Sequence, residues 1–515
     1  MSATGRDDAD RPGRLRRLLD PVVVGGSSFV VIALHGYQSG LTADMATFLY
    51  GGERLVHGTP PYQGVFNSVG PLADAVPGLA IALGKVAGVD PVLSTRLLFT
   101  GLSALCCALV CVLGRDLFDS RAAGYVAGAA LLVDEKFLQL GSGGPREKTT
   151  MLVFLVAVLL LLVRQRWGAA GVATALATLT WQPAFAPAVT AILVAALLAP
   201  GPRRLRVLAR FVVGGLATSG VTLAYFAAVD GLRQAVDGFI VVNARYTSQP
   251  SPVLAPGRTL HTFLRTYGPS FVLVVVGLVA LVVLGLRSWR PARRAHDEHA
   301  GRRVVVAVGG VAAVGWTLAV ANGPADLFVV LPFGAIGLAG LVALATSRLG
   351  RPLWTAAVSA GLVAVLVGYA VVTAVTTRDS VLVTQRADVR AVLATQPPDA
   401  MVMSLNAPQA LVLGHRTNPT PYQLFTPAMN GYLDGEYPGG LAAYARRARA
   451  LHPTFVVVGT FFSVPWAEPM LSADYRRIGK DSHWIWYLRR SAGPEALARA
   501  KAAHARAMVG AGARR

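Results

Sequence analysis

The chain has 515 residues, of which 54% are hydrophobic and 15% are charged, and its mean hydropathy is +0.51. Soluble globular chains carry about 25% charged residues, so this composition excludes an ordinary soluble enzyme and indicates a polytopic membrane protein with a polar C-terminal portion. The net charge of +21 comes mainly from Arg in short loops between apolar runs. That placement is typical of cytoplasmic loops and of affinity for anionic lipid heads, and it argues against nucleic acid as a partner.

The N-terminal residues predict a membrane anchor rather than a cleaved signal peptide. Residues 1–20 are rich in Arg and precede an apolar run of full membrane length, with no small-residue cleavage site after a short hydrophobic region. A run of about 20 apolar residues predicts a membrane helix. By this criterion we predict about eleven spans, near residues 21–39, 92–114, 122–138, 148–164, 168–183, 184–199, 208–228, 267–287, 303–321, 326–346 and 353–377.

Two stretches allow alternatives. The apolar stretch at 168–199 is broken by Trp181-Gln182-Pro183, so a single kinked element is the alternative to two spans. Segment 70–87 has apolar residues at helical spacing, which is typical of a short span or of a helix on the membrane surface. We predict a surface helix because every Arg-rich loop then lies on one side. The N-terminus is then cytoplasmic, and residues 378–515 lie on the extracytoplasmic side of the membrane.

The polar C-terminal part alternates helical and strand patterns, which predicts a small α/β domain. We therefore expect four parts in the chain. A cytoplasmic basic tail at 1–20 precedes an all-α transmembrane domain at 21–377, whose first outer loop, 40–91, carries interfacial helices. An extracytoplasmic α/β domain follows at 378–490. The Ala/Arg-rich tail at 491–515 is expected to be a frayed helix or disordered.

Asp44 follows the first predicted span closely and begins an amphipathic segment on the outer side of the membrane. A carboxylate held there can act as a general base that takes a proton from an acceptor hydroxyl. The alternative is a helix N-cap, for which Asp is favoured and Thr42 is a neighbouring candidate. The surrounding pattern favours catalysis, and the two roles are compatible.

The loop that follows is rich in turn residues and aromatics. It runs from Gly58 to Tyr62 as GTPPY and continues to Phe66 and Asn67. Proline fixes φ and stiffens such a loop. The side chains of Tyr62, Phe66 and Asn67 suit the wall of a sugar-binding cavity. A membrane-surface loop with aromatic anchors explains the same residue types equally well.

A Gly-rich outer loop, GSGGPREKTTM at residues 141–151, leads into a predicted span. Its Arg146 and Lys148 lie on the side where positive charge is otherwise sparse, and cations there suit the phosphate of a membrane lipid. Glu147 can orient these cations or supply a second carboxylate. The alternative is a helix end with snorkelling cations and a local ion pair.

Weaker candidates for the substrate cavity are scattered along the chain. For His57 the alternative is a solvated surface side chain, and for Gln182 it is packing between helices. The long outer loop 229–265 is of a length that is often functional, but it has no specific spacing. Asn322 and Asp326, in an outer turn, are interpreted as helix caps. The weaker candidates are His57, Gln182, Arg245, Tyr246 and His261.

The sequence lacks the motifs of several other classes of protein. It has no Walker A loop, no HExxH and no CxxC pair. Cys106, Cys107 and Cys111 lie in one apolar run, which predicts neither a disulfide nor a metal site. Ionisable groups are few within the spans, which argues against a pump or an ion-coupled transporter.

These features together resemble the GT-C glycosyltransferases, such as protein O-mannosyltransferases, the lipid A aminoarabinose transferase and actinobacterial polyprenyl-phosphate-mannose mannosyltransferases. The resemblance covers roughly residues 20–200. It consists of an Arg-rich N-terminus, one span, an outer Asp opening an amphipathic helix, a GxxPY loop and a Pro-led second interfacial helix. PVLSTRLLFTGLSALCCALVCVLGRDLFDSR also matches the family's Arg entering a span that ends in a GRxLF loop. Met45 and Ser68-Val69-Gly70 depart from the pattern, since relatives carry an acidic residue and a Lys there.

The resemblance implies an inverting transfer of a sugar from a polyprenyl monophosphate to a hydroxyl on the outer face of the cytoplasmic membrane. Asp44 takes the place of the catalytic Asp, and Arg146 and Lys148, joined by Arg245, would bind the donor phosphate. The scheme requires no metal or other cofactor, although it is compatible with a divalent metal.

Mannose is the expected sugar, and a glycan, glycolipid or protein of the cell envelope is the expected acceptor. A composition rich in Ala, Gly, Val and Arg suggests an actinobacterial source. Two other classes remain as alternatives. A flippase or transporter of lipid-linked sugars would need no general base, and a non-catalytic envelope assembly protein would use the α/β domain as a docking surface.

Overall fold

A computed structural model of the chain describes residues 11–247, 256–294, 298–320, 323–349 and 352–512. Within them the chain forms two compact units. The first unit comprises Met1–Gly36, Arg96–Thr222 and Gln249–Thr377, and the second unit comprises Tyr37–Thr95, Leu223–Ser248 and Arg378–Arg515. The second unit therefore joins residues 37–95, which the prediction assigned to the transmembrane domain, to the polar C-terminal part.

Helices make up most of the described structure. In chain order they are α1 (Arg11–Leu34), α2 (Ala43–Val56), α3 (Leu72–Val86), α4 (Pro91–Phe118), α5 (Arg121–Leu132), α6 (Glu135–Gly143), α7 (Glu147–Val163), α8 (Trp167–Thr178), α9 (Phe185–Leu198), α10 (Gly201–Ala228), α11 (Leu232–Val236), α12 (Pro256–Tyr267), α13 (Pro269–Arg294), α14 (Glu298–Val320), α15 (Leu331–Leu349), α16 (Pro352–Thr376), α17 (Val381–Leu393), α18 (Gln409–Gly414), α19 (Pro427–Glu436), α20 (Gly440–Ala450), α21 (Glu468–Asp474) and α22 (Pro494–Gly512). A π-helix spans Asp237–Tyr246, and short 3-10 turns lie at Gln182–Ala184 and Pro324–Val330.

The chain is a multi-pass membrane protein. In the described ranges, 6 helical segments are long and apolar enough to cross a membrane: Pro91–Phe118, Gly201–Ala228, Pro269–Arg290, His299–Val320, Pro324–Arg348 and Leu353–Leu393. Shorter apolar helices occupy Leu18–Leu34 and Gln182–Leu198. The eleven spans predicted from the sequence remain a prediction.

A polar residue interrupts one predicted span, and a Pro divides another apolar stretch where the sequence predicted a break. In the stretch 122–138, α5 ends at Leu132, and Asp134 begins α6 by accepting a hydrogen bond from the Phe137 N–H at 2.8 Å. Aspartate is favoured at such an N-cap. The stretch 168–199 forms two helices, α8 and α9, because Pro183 lies in the 3-10 turn between them.

The first unit is built around one large apolar core. Its fully buried members come from helices far apart in sequence, such as Ile32 of α1, Cys107 of α4, Leu155 of α7 and Phe333 of α15. This burial holds the polar N-terminus of α7 in a fixed place.

In the second unit, α2 packs closely against α3. Gly52 allows this approach, since a Cβ there would lie 2.6 Å from the backbone N of Gly78. Helix α3 has 15 residues, and its Leu79, Leu83 and Val86 are exposed. A short helix with an unburied apolar side is consistent with the predicted position on the membrane surface.

The polar C-terminal residues contain a four-stranded sheet with the order β1-β2-β4-β3. The strands are β1 (Val402–Leu405), β2 (Phe455–Gly459), β3 (Tyr475–Lys480) and β4 (Trp484–Arg489). β1 and β2 are parallel, and the other neighbours are antiparallel. In the segment 491–515, where a frayed helix or disorder was expected, the structure has helix α22 over Pro494–Gly512, and this helix packs on α17 and β3.

A buried polar cluster fixes α22 to this sheet. The His504 Nδ1 lies 2.6 Å from the Asp388 Oδ1, and the indole N–H groups of Trp484 and Trp486 donate to the Asp388 Oδ2 at 3.2 and 2.8 Å. The ring lies against Gly479, where a Cβ would approach it to 2.1 Å. The hydrogen bond to Asp388 raises the pKa of His504 against the opposing effect of burial.

We predict a pH-dependent contribution of His504 to stability. Because its folded-state pKa is raised, the contribution is fully present below the unfolded pKa of about 6.5 and is lost as pH rises through the folded value. His504→Gln cannot titrate and should lower the free energy of unfolding by about 1–3 kcal/mol in acid and by less in alkali. Thermal unfolding of wild type and His504→Gln, measured from acid to alkaline pH, tests this prediction. A stability difference between the two proteins that does not change with pH contradicts it.

Candidate functional site

Asp44 lies in the first turn of α2 and its side chain is exposed. The N-cap of this helix is Thr42, whose Oγ1 accepts a hydrogen bond from the Met45 N–H at 3.3 Å. The capping role considered for Asp44 therefore belongs to Thr42. The carboxylate instead lies at the positive end of the helix dipole, where negative charge is favoured.

The backbone just before Asp44 is held by two buried glutamines. The Gln385 side chain accepts from the Leu41 N–H at 2.8 Å and donates to the Leu41 carbonyl at 3.0 Å. Gln409 donates to the same carbonyl at 3.3 Å. Sequence analysis missed both glutamines because they lie more than 340 residues from Leu41 and no local pattern marks them.

The aromatic loop of the second unit contributes to its core. Tyr62 and Phe66 are buried, the Tyr62 hydroxyl donates to the Val69 carbonyl at 2.6 Å, and Phe66 stacks on Tyr432 with ring centroids 4.9 Å apart. The Asn67 side chain is also buried and accepts from the Val69 N–H at 2.9 Å. Their predicted role as cavity walls stays a prediction, and their observed contacts are with protein.

Arg245 and Tyr246 both bind one carboxylate. The Arg245 guanidinium lies 3.2 Å from the Glu436 Oε1, and the Tyr246 hydroxyl donates to the same atom at 3.1 Å. This pairing joins the π-helix to α19. The predicted phosphate contact of Arg245 would therefore compete with Glu436.

The remaining weak candidates are His57 in the second unit and Gln182 and His261 in the first unit. His57 ends α2 and is exposed, with its Nδ1 2.7 Å from the Glu53 carbonyl. Gln182 begins the 3-10 turn between α8 and α9, and His261 is exposed on α12. Asn322 lies outside the described residues.

In the first unit, a compact charged cluster lies at the start of α7. The Lys148 ammonium is 2.9 Å from the Asp326 Oδ1 and 3.2 Å from the Glu147 Oε1, and it lies 4.9 Å from the centre of the Trp181 ring. Arg146 is 3.7 Å from the Glu147 Oε2. All four charged side chains are nearly buried. The structure thus brings together the predicted trio Arg146, Glu147 and Lys148.

Asp326 is the residue of this cluster that sequence analysis undervalued. It does cap, since its Oδ2 accepts from the Gly323 N–H at 2.9 Å, but its other oxygen binds Lys148. The sequence did offer a signal for the pair, because Asp326 and Lys148 both lie beside apolar helices, where charged residues usually pair with one another. Two cations and two carboxylates balance, so the cluster carries no large excess of positive charge.

In the part of the chain that the structure describes, no group of three or more His, Cys, Asp or Glu side chains is arranged to hold a metal ion.

No family model and no curated protein matches the sequence. Solved structures do match. ArnT from Cupriavidus metallidurans bound to undecaprenyl phosphate is 14% identical, with a TM-score of 0.59 over 91% of this chain and 97% of that chain. The apo state of the same protein is 14% identical, with a TM-score of 0.60 over 93% of this chain and 98% of that chain. The Archaeoglobus fulgidus oligosaccharyltransferase in complex with Zn and sulfate is 13% identical, with a TM-score of 0.51 over 92% of this chain and 74% of that chain.

Replacing Gln385 tests whether it fixes the start of α2. Gln385→Leu leaves the buried N–H of Leu41 without its partner and the Leu41 carbonyl with the longer bond from Gln409, at a cost of about 1–3 kcal/mol. We expect faster hydrogen exchange in residues 41–48, measured by mass spectrometry. Gln396→Leu, at a partly exposed position of the same region, is the control and should leave this exchange unchanged. Equal exchange in Gln385→Leu and wild type would show that the contact does not hold α2.

Removing the Lys148 charge should be strongly destabilising. Lys148→Met leaves Asp326 and Glu147 without their shared cation, and breaking such a buried pair costs about 3–5 kcal/mol. The double variant Lys148→Met/Asp326→Asn should recover part of the loss, because one uncompensated charge is then gone. Thermal unfolding in detergent measures both. A single variant as stable as wild type would mean that the cluster is solvated.

Proposed function

Because the chain has the fold of the GT-C membrane glycosyltransferases, we propose that it transfers a sugar from a polyprenyl monophosphate to a hydroxyl acceptor. The observation that carries the proposal is the exposed Asp44 in the first turn of α2, in a chain of this fold. The donor class is supported by the ArnT structure, which holds undecaprenyl phosphate. Mannose, an envelope acceptor and the outer face of the cytoplasmic membrane are the finer parts of the proposal.

Asp44 acts as the general base. Its carboxylate takes the proton of the acceptor hydroxyl while that oxygen forms a bond to the anomeric carbon. The bond from the anomeric carbon to the phosphate oxygen breaks in the same displacement, and the lipid phosphate leaves with the electron pair. The exposure of Asp44 supports this role, because a base must be reachable by the acceptor.

Arg146 and Lys148 bind the phosphate and stabilise the charge that develops on it as it leaves. An ammonium has three donors, so the two carboxylate contacts of Lys148 are compatible with a further contact to a phosphate oxygen. Glu147 and Asp326 orient the ammonium. Arg245 assists if the ligand displaces Glu436.

Two alternatives make different demands. A flippase or transporter of lipid-linked sugars needs no proton acceptor, so its activity would survive the loss of the Asp44 carboxylate. An envelope assembly protein would depend on its docking surface, where Trp466 or Tyr422 would matter more than Asp44.

Asp44→Asn should abolish transfer while leaving the fold intact. A lost general base lowers kcat by about 10²–10⁴-fold, and an exposed side chain contributes little to stability. The assay supplies purified protein in nanodiscs with radiolabelled polyprenyl-phosphate mannose and an envelope extract. Label should pass to a new product with wild type but not with Asp44→Asn, and thermal unfolding should be the same for both.

The matched control is Asp399→Asn, which neutralises another exposed carboxylate of the second unit and should keep full transfer. Equal transfer by Asp44→Asn and wild type would remove Asp44 as the base. Movement of intact labelled donor across the bilayer without a new product would favour the transporter.

A further inference from the structure

A polar cavity lies within the second unit. It has a volume of about 420 Å³ and is formed by the last turn of α2, the end of α3, the start of α4 and residues 415–417. Its polar lining includes Tyr50, Glu53, Arg54, His57, Lys85 and Arg416. Ligand sites commonly have volumes of about 300–1,000 Å³, so it can hold a substituted sugar residue.

This cavity is distinct from the surroundings of Asp44. Tyr50, Glu53, Arg54 and His57 are spaced three, four and seven residues apart and form one stripe of α2. Glu53 comes nine residues after Asp44, and at about 100° per residue the two carboxyl groups point to opposite sides of the helix. A ligand in the cavity therefore contacts the face of α2 that the proposed base does not use.

The lining is cationic. Arg54, Lys85 and Arg416 supply three positive charges, and His57 and His415 add two imidazoles. The Arg416 Nε is buried and has no hydrogen-bond partner among the described residues. His415 is held in the left-handed region, with φ of 50°, at the end of α18, a position that usually favours glycine.

The carboxyl group in this lining does not cancel the cations. Burial, with a smaller contribution from the negative charge of Asp90 and an opposing one from Arg54, raises the pKa of Glu53 to about 8. At neutral pH the group is therefore mostly protonated and offers an O–H donor. The lining combines cations with a neutral donor, which is the combination that an anion requires.

We propose that this cavity binds a phosphate or carboxylate group carried by the sugar acceptor. The assignment to the acceptor rests on the proposed transferase function. The anion chemistry does not, because it follows from the cavity lining alone. Lys85 and Arg416 are the residues that recognise the charge, and Arg54 is held beside them by its contacts with Thr59 and Thr417 at 2.8 and 3.4 Å.

Binding is tested first without any transfer assay. Inorganic phosphate is titrated against the full-length protein in detergent, and thermal unfolding is followed. Wild type should be stabilised, since a ligand that binds only the folded state raises the midpoint. Lys85→Glu, at an exposed position, and Arg416→Gln should lose this shift. Arg477→Glu, which reverses an exposed charge on β3, should keep it. The same shift in all four proteins would overturn the anion site.

The second measurement assigns the source of the anion. Steady-state transfer in nanodiscs of neutral lipid should show the KM for an anionic acceptor raised about tenfold or more in Lys85→Glu, with the donor KM unchanged. An effect that appears only when anionic lipid is added would overturn the acceptor assignment in favour of a lipid headgroup. If wild type transfers no sugar but still binds phosphate, the proposed function fails and the anion site stands. If Lys85→Glu transfers sugar with an unchanged KM for the acceptor, the proposed function stands and the assignment of the anion to the acceptor fails.

Discussion

The paired hydrogen bonds between Gln385 and Leu41 are the constraint on which the second unit depends. They satisfy both backbone groups of Leu41 in a buried place, and they fix the chain three residues before Asp44. The Gln409 bond to the Leu41 carbonyl, the bond from the Asn418 N–H to the Tyr50 hydroxyl and the packing of α2 on α3 add to this hold. Each bond contributes about 1 kcal/mol, but their geometric effect is larger, since two bonds to one residue set both the direction and the register of the helix that follows. Together with the stacking of Phe66 on Tyr432, they join residues 37–95 to the polar C-terminal part in one unit.

Several buried charged groups in this chain lie beside a group of opposite charge. Lys148 lies between Asp326 and Glu147, and Asp388 holds His504. A buried charge left alone would cost several kcal/mol, so such pairs let polar groups persist near apolar helices. The cavity at the end of α2 differs, because its lining has three cations and a carboxyl group that is mostly protonated at neutral pH. This contrast distinguishes a ligand site from a structural ion pair.

Much of this organisation could be predicted from the sequence, and what could not has a common cause. Apolar runs predicted the helices, and residues near 20–200 predicted the GT-C fold, which the solved structures confirm. The packing of α22 was missed because an Ala/Arg-rich segment resembles a solvated, frayed helix, whereas its small residues and His504 are buried against α17 and β3. Asp326 was predicted as a cap, which it is, but its pairing with Lys148 and the role of Gln385 were missed because distant side chains leave no periodic signal. Local patterns thus identified elements and single candidates, and tertiary contacts decided which candidates are held together.

The central claim is a single displacement in which Asp44 deprotonates the acceptor and no covalent sugar–enzyme intermediate forms. The most direct measurement is the anomeric configuration of the product, determined by NMR after transfer from a donor of known configuration. Direct displacement inverts the anomeric centre, so the account predicts a product of opposite configuration to the donor. A product that retains the donor's configuration requires two displacements and a nucleophile on the protein, and it would contradict the role assigned to Asp44.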